Sequence, residues 1–118
     1  PHFRKLKLLC ITWNMARKAQ ADVDFNLMLD GADHHDLVTC SFQEAILKDR
    51  ANFTENLRVF MFQKYDFEIL AQVNMWEIFN VTFIKRNLRH LINGQVKTSY
   101  KSCGATVAGV KFPNKGAV

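Results

Sequence analysis

Asp36-Leu37-Val38-Thr39-Cys40-Ser41-Phe42-Gln43-Glu44 is the stretch on which the fold turns. Its run from Leu37 to Phe42 is apolar and β-branched, the composition of a strand buried in a sheet. The run then breaks into an amide and a carboxylate, which leaves a charged group at the strand's C-terminal end. Upstream, Lys5-Leu6-Lys7-Leu8-Leu9-Cys10-Ile11 begins as alternation and ends apolar on both faces, predicting a strand that enters the centre of a sheet. It runs into Thr12-Trp13-Asn14, so a second polar group stands at a strand end. Residues 16–24 read as a polar loop and Phe25 to Leu29 as a short helical turn closed by Asp30-Gly31. Strand, helical connection, strand implies a parallel pair. In open α/β sheets, ligands bind in the crevice beyond the C-terminal ends of such strands.

Further along, Phe53, Leu57, Phe60 and Met61 recur at helical spacing and predict an amphipathic helix over 52–64, its apolar stripe serving as core. Stretches 67–73, 77–85 and 96–103 are rich in β-branched and aromatic residues, with an Asn93-Gly94 turn before the last. They read as an antiparallel meander. The expected class is therefore α/β (α+β), one mixed sheet with flanking helices, formed by a single unit over 1–118.

The chain has 118 residues, 48% of them hydrophobic, including 10 Phe and 2 Trp, which is enough for a packed core. A formal charge of +5 with a pI near 9.3 favours anionic partners such as phosphates, nucleic acid or acidic lipid surfaces. The basic residues are scattered, however, and form no block. Cys10, Cys40 and Cys103 lie in apolar runs without metal-ligand spacing, so buried free thiols in a reducing compartment are expected. Asn52-Phe53-Thr54 and Asn80-Val81-Thr82 match glycosylation acceptors, a pattern that also arises by chance. No signal peptide is visible, and no apolar run reaches the ~18 residues of a membrane span. Pro1 at the start reads as a trimmed boundary, and both ends are expected to be cuts in a longer chain.

Three polar words carry the chemistry. Glu44 follows a buried strand and precedes Ala45-Ile46-Leu47, so its carboxylate must be paired, hydrated or metal-bound. Mg²⁺ takes one or two carboxylates plus waters and phosphate oxygens, and Glu44 can supply the carboxylate with Asn14 an oxygen beside the ion. The ordinary alternative is that Glu44 caps a helix or pairs with Lys48. Asn114-Lys115-Gly116 offers an amide, a cation and a free backbone that could cradle a phosphate, or simply forms a hairpin turn. Trp13 is expected in the core, fixing the direction of Asn14, and Gln43 is expected to steady Glu44 as a donor. His34 and His35 read as loop residues without zinc-ligand spacing.

Taken in order, these words resemble the inositol polyphosphate 5-phosphatases of the DNase I-like superfamily. The matching residues are Ile11-Thr12-Trp13-Asn14-Met15, Asp36 through Glu44, and Gly104-Ala105-Thr106-Val107-Ala108-Gly109 running into Asn114-Lys115-Gly116-Ala117-Val118. Ala16 stands where a glycine is common, Ser41 where glycine usually precedes Phe-Gln-Glu, and Pro113 where glycine usually precedes Asn-Lys-Gly. The resemblance implies a Mg²⁺-dependent phosphatase acting on the 5-phosphate of inositol phosphates or phosphoinositides. Glu44 matches the metal-binding glutamate, Asn14 the asparagine beside the metal, and Asn114 and Lys115 the phosphate side of the cleft.

It further implies the N-terminal portion of a four-layer α/β sandwich, in a cytoplasmic protein peripherally bound to membranes, with no nucleic acid partner. In that family an Asp and two His follow the Asn-Lys-Gly segment, so this chain alone is expected to be inactive. An apolar inner face of Leu, Phe and Val would await the second sheet, each large side chain forfeiting ~1.5–3 kcal/mol of burial. The alternatives are a degenerate, non-catalytic binding or scaffold relative, and another hydrolase of the superfamily, an endonuclease or sphingomyelinase.

Overall fold

A computed structural model describes residues 5–18, 23–103, 106–107, 110–111 and 115–117, with side-chain surroundings as far as residue 101. Four strands make the main sheet: β1 (Leu8–Asn14), β2 (Leu37–Gln43), β3 (Phe67–Met75) and β4 (Ile78–Lys85). Their spatial order is β1-β2-β4-β3, with β1 and β2 parallel and the other two pairings antiparallel. Helix α1 (Phe25–Met28) lies in the β1–β2 connection and α2 (Arg50–Tyr65) joins β2 to β3. The class is mixed α+β.

The core forms on one face of this sheet. Register sets Leu9, Ile11 and Trp13 of β1 opposite Val38, Cys40 and Phe42 of β2, which in turn face Phe83, Val81 and Phe79 of β4. Phe53, Leu57 and Met61 of α2 recur every four residues, so they project from one side of the helix and are all buried on this face. Four phenylalanines from four elements meet there. Phe42 stacks on Phe79 at 4.7 Å between centroids, Phe53 meets Phe42 edge-on at 5.0 Å, and Phe25 meets Phe53 at 5.5 Å. Helix α2 ends because Asp66 turns left-handed, its N–H reaching the carbonyls of Met61 and Phe62.

Several expectations are corrected. β1 runs three residues later than predicted and is an edge strand of this sheet, alternating exposed with half-buried residues; Leu8 is 55% exposed. Cys10 consequently faces away from the helices and is exposed, whereas Cys40 is buried as expected. The meander stops at two strands, because β4 pairs with β2 on its far side. Residues 95 and 97–100 are all exposed and offer no face to bury, so the last predicted strand shrinks to β5 (Lys101–Cys103). β5 pairs with β8 (Lys115–Ala117), and β6 (Thr106–Val107) with β7 (Val110–Lys111).

The second face of the sheet also departs from expectation. Its centre is not Leu, Phe and Val but Thr39, Ser41, Asn80 and Thr82, all half-buried. Asn80 Nδ2 donates to Thr39 Oγ1 at 2.8 Å and Ser41 Oγ at 2.9 Å, Thr82 Oγ1 donates to Asn80 Oδ1 at 2.9 Å, and the two threonine hydroxyls lie 3.0 Å apart. This ladder satisfies its own polar groups, so the face carries little of the hydrophobic penalty foreseen for it. Among the described residues, no helix is long and apolar enough to cross a membrane.

Candidate functional site

The parallel register brings the two strand-end words together. Asn14 pairs across from Gln43, so Glu44 follows at the same rim of the sheet. Trp13 points to the helix side, packing half-buried against the core, and this anchors the residue before Asn14. β1 terminates there because the Asn14 side chain captures its own chain: Oδ1 accepts the Ala16 N–H at 2.8 Å. Met15 N–H reaches the Gln43 carbonyl at 2.8 Å and Arg17 N–H the Glu44 carbonyl at 2.8 Å, extending the pairing past the strand ends.

Backbone strain concentrates at this rim. Five described non-glycine residues have positive φ, and four of them are Ala16 (51°), Arg17 (53°), Glu44 (54°) and Trp76 (52°). All four sit at the C-terminal ends of β1 and β2 or in the turn between β3 and β4, which packs beside them. The fifth, Asp66, closes a helix, a position where that conformation is ordinary. Left-handed backbone costs an L-residue ~1–2 kcal/mol, and such outliers cluster where a site needs a particular geometry. Ala16 thus adopts the conformation that a glycine takes without strain.

Glu44 is exposed, and among the described residues no hydrogen bond or ion pair engages its carboxylate. Neither ordinary alternative is realised: Lys48 is not its partner, and the following 3₁₀ turn, Leu47–Asp49, has no side-chain cap. Gln43 makes no hydrogen bond to Glu44 either; its contribution is the backbone carbonyl that binds Met15. The Glu44 carboxylate and the Asn14 amide oxygen, which keeps a second lone pair beside its bond from Ala16 N–H, are hard oxygen donors of the kind Mg²⁺ takes. Among the described residues no group of three or more His, Cys, Asp or Glu gathers into a conventional metal cluster.

Two residues that the sequence did not single out also reach the rim. Glu77, in the β3–β4 turn, takes Arg17 Nε and Nη2 on its Oε2 at 3.1 and 2.9 Å, while its carbonyl accepts the Ala45 N–H at 3.1 Å. Arg50 Nη1 donates to the Trp76 carbonyl at 2.8 Å and ties that turn to the start of α2. The sequence signal for Glu77 was only its position between two apolar runs, which marks a hairpin but not what its tip will touch, and Arg50 carried no signal beyond the approach to a helix.

The other polar residues weighed in the sequence belong to other segments. Asn114 falls outside the described residues, and Lys115 opens β8, pairing through its backbone with Cys103 and not with the main sheet. His34 and His35 precede β2, and His90 follows β4, so all three stand at the opposite end of the sheet, roughly 20 Å from the rim over a seven-residue strand. His35 is engaged locally, its Nδ1 2.8 Å from the Gly31 carbonyl.

No protein-family model matches the chain, and no curated protein matches it. Among solved structures, it is similar to a point mutant of a Cimex nitrophorin in its ferrous nitric oxide complex, with a TM-score of 0.57 at 11% identity. The alignment covers 89% of this chain and 39% of that one, so the chain spans about two-fifths of the length of its structural neighbour. At that identity the likeness is one of fold alone.

Proposed function

We propose that this chain contributes the metal-binding side of a Mg²⁺-dependent phosphoric monoester hydrolase site. The reaction would be removal of the 5-phosphate from inositol phosphates or phosphoinositides by the complete protein, which we place in the cytoplasm and peripherally at membranes. The observation that carries this reading is the parallel β1–β2 register, which sets Asn14 across from Gln43 and so brings the exposed, unengaged Glu44 to the same strained rim. The left-handed φ of Ala16 supports it further, since the resembled family commonly has glycine there.

Glu44 would hold the ion with a full negative charge and Asn14 would add a neutral oxygen beside it, the remaining positions being left to water and substrate phosphate. Bound there, Mg²⁺ would offset charge developing on the phosphoryl oxygens. The residues of this chain would orient the ion and keep it at the mouth of the sheet. Asn14 is held for that task by the Ala16 N–H, which restrains its side-chain torsion. Transfer of the proton from attacking water needs a further group, and His34, His35 and His90 are too distant to serve.

Mn²⁺ is a paramagnetic stand-in that tests the reading directly. Titrated into the full chain, it should broaden the amide signals of Asn14, Ala16, Arg17 and Ala45 before any others, and Glu44→Gln should abolish the effect. Broadening centred elsewhere, or unchanged by Glu44→Gln, would remove the metal role.

A further inference from the structure

Glu44 rests in a conformation that L-residues avoid, with φ at 54°, so neighbouring groups must hold it there. The peptide group that follows its side chain is tied at both ends. Its own carbonyl accepts the Arg17 N–H at 2.8 Å, and the next amide, on Ala45, donates to the Glu77 carbonyl at 3.1 Å. The two residues that supply those bonds are also joined to each other, Arg17 Nε and Nη2 donating to Glu77 Oε2. Three chain segments far apart in sequence therefore close a ring around one residue: the turn after β1, the end of β2 and the β3–β4 turn. Arg50 braces the third segment from below through the Trp76 carbonyl.

We propose that Arg17 and Glu77 are positioning residues whose ion pair closes this ring, keeping Glu44 left-handed and so fixing where its carboxylate points. The ion pair lies partly open to solvent, with Arg17 65% and Glu77 30% exposed in their side chains. Its value is thus local: it ties two turns to each other, and the core would not register its loss. Glu77 is free to do this because no other cation engages it among the described residues. The consequence for metal binding rests on the hydrolase reading above, while the hold on the backbone does not.

Hydrogen exchange and Mg²⁺ titration on the full chain separate the two. In Arg17→Ala and in Glu77→Gln, protection of the Arg17 and Ala45 amides should fall about two- to fivefold, the range of an exposed pair, with the amides of Val38, Cys40 and Val81 unchanged. The swapped variant, Arg17→Glu with Glu77→Arg, should regain protection at both amides. Mg²⁺ affinity should fall and recover in parallel. Unchanged protection at Arg17 and Ala45 in both single variants overturns the proposal, as does a loss that spreads evenly into β2 and β4. Equal Mg²⁺ affinity in the wild type and both single variants overturns it too and leaves the hydrolase reading standing. A wild type that binds no Mg²⁺ while the exchange pattern holds sinks the hydrolase reading and leaves the positioning role intact.

Discussion

Replacing Ala16 by glycine should stabilise this protein, against the usual direction of such a change. Ala16 sits at φ 51°, is exposed, and its N–H bond to Asn14 Oδ1 survives the substitution. The left-handed backbone costs alanine ~1–2 kcal/mol, which glycine does not incur. Against this, glycine widens the unfolded ensemble by an amount worth ~0.5–1 kcal/mol. The difference is a gain of about 0.5–1 kcal/mol. With a urea slope of ~1–3 kcal/mol per molar for a small domain, the unfolding midpoint should rise by about 0.2–1 M at unchanged slope. Glu44→Gly removes the same strain and should give a similar rise, but with the loss of any cation binding at the rim, a trade of function against stability. The assay is paired urea unfolding followed by tryptophan fluorescence. A midpoint that falls for Ala16→Gly would show that the turn after β1 is not strained, and the argument from backbone strain to site would fail with it.

Other outcomes follow from the core and its thiols. Phe53→Ala removes the ring that contacts Phe25, Phe42 and Phe79 and should cost about 3–5 kcal/mol, enough to leave the chain unfolded or nearly so by calorimetry. A disulfide-exchange reagent should label exposed Cys10 rapidly and Cys40 only on unfolding. Burial pushes the Cys40 thiol up from 9.0 to about 12, so the folded state keeps a proton that the unfolded chain releases. Stability linked to Cys40 is therefore complete below pH 9 and declines as pH rises toward 12, a slope that Cys40→Ala should remove.

What could be read in advance follows from the range of the interactions involved. The apolar period of Phe53, Leu57 and Met61 and the buried run from Val38 to Phe42 act within one element, and both were legible. The strand ends were legible too, since Asn14 and Glu44 each stand where an apolar run stops. The edge position of β1 was not, because Leu8, Leu9 and Ile11 look alike whether one neighbour covers them or two. Nor was the polar second face: Thr39, Ser41, Asn80 and Thr82 gain their meaning only from a cross-strand register that no single segment encodes. Arg17 and Glu77, sixty positions apart, meet for the same reason. The insertion of β4 between β2 and β3 decided both.

That register also bears on the two glycosylation triplets. Asn80 spends both of its amide hydrogens on Thr39 and Ser41, and its Thr82 partner is a member of the same ladder. A sugar transferase meeting the folded protein would find that acceptor nitrogen committed, with the Thr82 hydroxyl bonded to Asn80 Oδ1. Asn52 lies exposed on the first turn of α2. In the cytoplasm proposed above neither triplet would meet such an enzyme, so a sugar on exposed Asn52 would by itself remove that placement.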